Sequence, residues 1–138
     1  MSKKRKVAPV QMTMRESDID YRRRLLVRWD YLCVICGREF ANIACVTKEH
    51  IVPKSETKHP KGDENLAPSH HQCNTIRQTA SIIETAKMID AIERAMKPWA
   101  FHAWLNKPVP NRIVPARALR PPRVQRFMEL PDTLPGMR

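Results

Sequence analysis

Two short pairs of metal-ligating side chains, Cys33-x-x-Cys36 and His70-x-x-Cys73, constrain this chain more than any other feature of it. Each pair has the spacing of a zinc knuckle. A tetrahedral site takes four such ligands, so the two segments are expected to meet around one structural ion although they lie far apart in sequence. His71 is a second imidazole beside Cys73. Register favours His70, three residues before Cys73, because a side chain only two residues before it would point elsewhere in a helix or turn. Cys45 pairs with nothing at ligand spacing and is expected to be a small buried core residue. Gly37, directly after the first knuckle, supplies the backbone freedom that its turn requires.

A second set of residues is threaded through the first: Glu49, His50, Asn65 and Asn74. Hydrolysis of a phosphodiester needs a water, a base for its proton, and neutralisation of charge on the phosphate and leaving oxygen, and one divalent ion can do the last. Glu49 and Asn74 offer hard oxygens suited to Mg²⁺ or Mn²⁺, whereas Cys33, Cys36, His70 and Cys73 suit Zn²⁺, so ligand softness separates two metals. His50, with an ordinary pKa of about 6.5, is largely neutral at pH 7 and able to accept a proton.

Taken together, Cys33-x-x-Cys36, Glu49-His50-Ile51-x-Pro53, Asn65-Leu66 and His70-x-x-Cys73-Asn74 resemble an HNH endonuclease over roughly residues 30 to 80. The resemblance implies an α+β fold, a small ββα-metal core stapled by zinc knuckles. It also implies roles: His50 as general base, Asn65 orienting the hairpin and the histidine, Asn74 with Glu49 as ligands of the catalytic ion, and products with 5′-phosphate and 3′-hydroxyl ends. Two positions depart from the family pattern, Glu49 where Asp is usual and His70 where Cys is usual. The final Asn74 is similar to the variant in the HNH domain of RNA-guided CRISPR nucleases.

Around that core, Ser17-Asp18-Ile19-Asp20 offers a capping hydroxyl, and Ile19, Arg23, Leu26 and Trp29 follow at near-helical spacing, so a helix is expected from about 18 to 30. It carries Arg22, Arg23, Arg24 and Arg28, facing solvent or DNA. The β-branched run 42–51 reads as a strand delivering Glu49 and His50 at its end. Residues 53–64 read as a loop whose Lys54, Lys58 and Lys61 are placed to rest on phosphate, with His59 exposed, and a short second strand begins at Asn65. A helix starts near His71. From Gln72 to Met96 an apolar stripe through Ile76, Ala80, Ile83, Ala86 or Lys87, and Ala91 or Ile92 gives one long helix or two shorter ones. Arg77, three residues after Asn74 on the same face, either holds the scissile phosphate or is a solvated turn residue. Pro98 fits the first turn of a further helix, with Trp99, Phe101, Trp104 and Leu105 as apolar bulk and His102 structural.

The chain of 138 residues makes one domain with tails, divided as a basic disordered arm (1–14), a nuclease domain with flanking helices (15–106), and an extended Pro/Arg-rich tail (107–138). That tail either wraps over the domain, binds a protein partner or lies on nucleic acid. A formal charge of +11 makes nucleic acid the favoured partner, contacted mainly through its backbone. The N-terminal MSKKRKVAPV has no apolar signal core and no run is apolar enough for a membrane span, so a reducing cytoplasm, in a bacterial or phage-infected cell, is expected. SKKRKV also resembles a nuclear localisation signal, the weaker reading of a basic arm. A zinc-stapled nucleic-acid-binding module without catalysis, part of a phage or bacterial assembly, would need the knuckles but not His50, Asn65 and Asn74. Their presence beside Glu49 favours the nuclease. A restriction or homing enzyme with its own specificity is disfavoured by size, since little beyond the core is left to read base edges.

Overall fold

The computed structural model describes residues 12–53 and 62–122. The expectations for the basic arm up to residue 11, for Lys54, Lys58, His59 and Lys61, and for the tail from 123 onward lie outside these residues. In chain order the elements are β1 (Met12–Thr13), α1 (Glu16–Arg28), β2 (Val46–His50), β3 (Leu66–His70), α2 (His71–Arg77), α3 (Ile82–Ala95), α4 (Pro98–Leu105) and β4 (Arg112–Ile113).

The expected first helix is α1, displaced by about half a turn: it starts before Ser17, with Arg15 at the cap position and no side-chain cap bond. Glu16 and Asp18 in the first turn complement the helix dipole instead. Ile19, Leu25 and Leu26 are its buried residues. After Trp29 the chain reverses through two consecutive left-handed residues, Asp30 (φ 54°) and Tyr31 (φ 63°), and the Tyr31 amide donates to the Leu26 carbonyl at 2.6 Å. Non-glycine residues pay of order 1–3 kcal/mol for such conformations. Here the reversal aims the chain from the helix end into the first knuckle. Leu32 bridges Glu39, the Cys33 amide donates to the Arg38 carbonyl, the Gly37 amide donates to the Cys33 carbonyl, and Gly37 takes φ 74°.

The strand expected over 42–51 is half that length. Ile43–Cys45 form a 3₁₀ turn, because the Asn42 side chain accepts from the Ala44 amide and diverts the backbone, and only Val46–His50 extend. β2 pairs antiparallel with β3 in the register Val46↔His70 through His50↔Leu66, and α2 follows β3 without a linker. Strand, strand and helix therefore make a ββα unit. The 72–96 stripe divides into α2 and α3. Gln78, at φ 49°, ends α2, and Ser81 caps α3 by accepting from the Glu84 amide. Ile89 is fully buried and Ile92 and Met96 pack beside it, while Ile83, expected in the stripe, is 70% exposed.

The core gathers Ile19, Leu26, Ile35, Phe40, Ile43, Val46, Ile89, Phe101 and Leu105. Pro98 occupies the first turn of α4 as expected, and Phe101 and Leu105 face inward, but Trp99 does not pack and is exposed. Past α4 the chain returns over the domain. The Val109 amide donates to the Ala44 carbonyl, β4 pairs in parallel with β1, Arg112 Nη1 donates to the Val46 carbonyl at 2.8 Å, and Ala118 is buried. Of the three fates open to the tail, the described part wraps over the domain. Among the described residues no helix is long and apolar enough to cross a membrane.

Candidate active site and metal centre

The two knuckles converge. The ligand atoms of Cys33, Cys36, His70 and Cys73 all lie within 4.8 Å of one another. His70 Nδ1 stands 3.4 Å from Cys36 Sγ and 3.9 Å from Cys73 Sγ, spacings that suit one tetrahedral ion with bonds of about 2.0–2.3 Å. The other ring nitrogen, Nε2, lies 2.9 Å from the Glu39 carbonyl, which fixes the ring and leaves Nδ1 for a metal. Cys33 and Cys36 come from the turn after α1, His70 from the last residue of β3, and Cys73 from the first turn of α2. His71 is outside the group, as register requires. Cys45 is fully buried, with Sγ donating to the Asn42 carbonyl, and is likewise no ligand.

Hydrogen bonds from Cys33 and Cys73 hold the Cys36 thiol far below its usual range, against the opposing effect of burial. Burial lowers the basicity of His70, but hydrogen bonds and negative charge from Cys33 and Cys36 outweigh it and push the imidazole up to about 9. A metal would displace that proton, since thiolates and a neutral imidazole are what it binds.

On the ββα unit, the alternation of β2 divides its side chains between two faces. Thr47 and Glu49 lie toward α2: Asn74 Nδ2 donates to Thr47 Oγ1 at 3.4 Å, and Arg77 Nη1 stands 3.3 Å from Glu49 Oε1. Val46, Lys48 and His50 share the other face. Asn65 is 2% exposed, and both atoms of its amide bond the main chain of Val52. This ties the residues just after His50 to the start of β3.

The comparison with known families adds one finding to this arrangement. Residues 33–79 match the HNH endonuclease family model. That span runs from the first knuckle cysteine to just past α2 and covers about a third of the chain. No curated protein and no solved structure matches the chain. The HNH match and the Cys₃His group on a mixed helix and strand fold agree with the α+β expectation of a ββα-metal core.

Within the HNH segment Glu49 is the most unusual side chain. It is 8% exposed; Oε1 accepts from the His50 amide at 3.0 Å, while Oε2 is buried with no hydrogen-bond partner among the described residues. Burial pushes its carboxyl above the usual range, against the opposing influence of Arg77 and the His50 N–H. A buried carboxylate oxygen without a donor is costly, and a bound cation would satisfy it. The free oxygen of Glu49 thus fits a hard divalent ion.

Arg77 requires a correction. Expected either on the scissile phosphate or as a solvated turn residue, it is 3% exposed, and its guanidinium donates to the carbonyls of Ala80, His50 and Ile51 at 2.9, 2.7 and 2.8 Å. Folding has turned it inward to satisfy main-chain carbonyls at the end of β2 and after α2. Two of the α1 arginines are likewise engaged internally, Arg22 on the Val46 carbonyl and Arg28 on the Asp63 carbonyl. Arg23 and Arg24 remain exposed.

The fold also brings together Lys48 and Tyr21, which sequence reasoning did not single out. Lys48 is exposed two residues before His50 on the same strand face, with Nζ 5.1 Å from the Tyr21 ring centre, and Arg24 lies 5.6 Å from that ring on its own helix. The two-residue spacing from His50 was the available signal.

Proposed function

We infer that the chain is a metal-dependent HNH endonuclease that hydrolyses DNA phosphodiester bonds. One observation carries the reading beyond the family match: the ββα unit presents Glu49 and Asn74 on the α2 side of β2 and His50 on the residue after Glu49, with a buried Glu49 oxygen left, among the described residues, without a hydrogen-bond donor. In this reading His50 takes a proton from the attacking water as general base, the water oxygen bonds to phosphorus, the bond to the 3′ oxygen breaks, and that oxygen takes a proton from solvent, leaving 5′-phosphate and 3′-hydroxyl ends. Glu49 and Asn74 would hold one Mg²⁺ or Mn²⁺. When bound, the ion neutralises charge on the phosphate and leaving oxygen. Asn65 keeps the segment after His50 in place, and Cys33, Cys36, His70 and Cys73 hold a structural Zn²⁺ that pins β3 and α2 to the knuckle after α1.

DNA is the proposed substrate because the HNH match names a family of endonucleases and the chain carries +11 formal charge. Lys48 and Arg24, exposed on the His50 side of the hairpin and on α1, are the described cations best placed to meet its phosphates. Plasmid nicking with Mg²⁺, with Mn²⁺ and with EDTA tests the reading. Metal-dependent conversion of supercoiled to nicked DNA is expected. Wild-type protein inert in both metals on plasmid, single-stranded and branched DNA would instead support a zinc-stapled binding module.

A further inference from the structure

We propose that Arg77 is a positioning residue: from α2 it sets the Glu49 carboxylate, and the main chain at His50 and Ile51, for binding of the divalent cation. This rests on the nuclease reading, in which Glu49 is a ligand.

The geometry is that of a clamp. Guanidinium is a planar fork of five donors, always charged, and well suited to fixing several acceptors at once. Here Nε reaches Ala80, Nη1 reaches His50 and Nη2 reaches Ile51, all through carbonyl oxygens at 2.7–2.9 Å, while Glu49 Oε1 lies 3.3 Å from Nη1. The side chain is nearly sealed from solvent, with 2% exposure against 10% for that of Glu49. One residue of α2 therefore ties the residue proposed as general base, its successor and the proposed acidic ligand into a single unit.

The consequence for Glu49 is a division of labour between its two oxygens. Oε1 is held from two sides, by the His50 amide and by Arg77, so the carboxylate cannot turn freely. Oε2 is the atom left over, buried and, among the described residues, without a donor. A cation would be met by that oxygen alone, in a fixed orientation, without the reorganisation a mobile carboxylate would need. The length of the acid matters in the same way. Glutamate reaches Arg77 and its own following amide, whereas an aspartate at 49 has one methylene less and would draw Oε1 away from both.

Mn²⁺ binding to the zinc-loaded full chain, read by electron paramagnetic resonance of the free ion, separates this role from plain structural support. Arg77→Lys keeps the charge but cannot span the carbonyls, and Glu49→Asp keeps the carboxylate and leaves Arg77 untouched. Each is expected to weaken Mn²⁺ binding by about 10–100-fold, the usual effect of losing a partner that orients a ligand. Zinc content should be unchanged, and the double variant no weaker than the worse single one, because both act through one linkage. Glu49→Gln should lose Mn²⁺ binding. If Glu49→Gln loses it while Glu49→Asp and Arg77→Lys bind like wild type, the positioning role is wrong and the ligand role stands. If Arg77→Lys does not fold, Glu49→Asp alone decides by the same criterion. Wild-type protein that binds no Mn²⁺, or a Glu49→Gln variant that binds it normally, overturns the ligand role and this inference together.

Discussion

Asn65 grips the peptide groups of Val52 with both atoms of its side-chain amide: Oδ1 accepts from the Val52 N–H at 2.8 Å, and Nδ2 donates to the Val52 carbonyl at 3.0 Å. The Ile51 amide adds a bond to the Asn65 carbonyl at 2.9 Å. The end of β2 is thereby closed onto the start of β3 two residues after His50, a distance over which a loosened main chain would also loosen the histidine. Asn65→Ala removes two hydrogen bonds, each worth about 0.5–1.5 kcal/mol net. A drop in melting temperature of several degrees is expected, with slower cleavage, and Asn65→Asp, which keeps the acceptor but sets a buried carboxylate oxygen against the Val52 carbonyl, should melt at least as low. Melting that is unchanged in the alanine variant would rule out the clamp.

The Cys₃His group predicts about one zinc per chain, by the tetrahedral rule. Cys36→Ser and His70→Ala should lose the ion and melt lower, whereas His71→Ala should keep it, since His71 lies outside the group. Burial and the nearby charges of Arg112 and Lys107 hold the His71 imidazole below its ordinary pKa. Elemental analysis of protein freed of loosely bound metal is the check, and zinc retained by His70→Ala would contradict the assignment.

His50→Ala deletes the proposed proton acceptor without touching the knuckles or the Asn65 clamp. It should fold, keep its zinc and bind DNA while nicking about 10² to 10⁴ times more slowly. Asn74→Ala should instead raise the Mg²⁺ concentration needed for half-maximal rate, as expected when one of few protein ligands is removed. Single-turnover nicking across a metal titration distinguishes them, and cleavage by His50→Ala at the wild-type rate would disprove the assigned base.

Binding to duplex DNA should weaken steeply with salt and depend little on sequence, because phosphate neutralisation supplies most of the affinity of so basic a chain. Lys48→Ala should weaken binding uniformly across sequences and reduce the salt slope by about one. Fluorescence anisotropy over a salt series measures both, and a slope unmoved by the substitution would remove Lys48 from the DNA path.

Spacing alone made the metal cluster legible, because four ligands at knuckle separations have few ways to satisfy one tetrahedral ion, and the register of His70 against His71 followed from the geometry of a short turn. The α+β character was equally visible in the strand ends around His50 and Asn65 and in the helix signal after His71. Tertiary structure decided the rest, for reasons that no local pattern contains. Arg77 and Arg22 looked free for phosphate or solvent, but main-chain carbonyls of β2, distant in sequence, claimed both once the helices had packed. Asn42 shortened the expected strand through a local side-chain bond that competes with extension. Trp99 and Ile83 carried the right residue type but fell on helix faces that no other element covers among the described residues. Residues 109–118 were held down by edge pairing with β1 and by Arg112 on Val46, contacts that exist only after the domain has brought its two ends together.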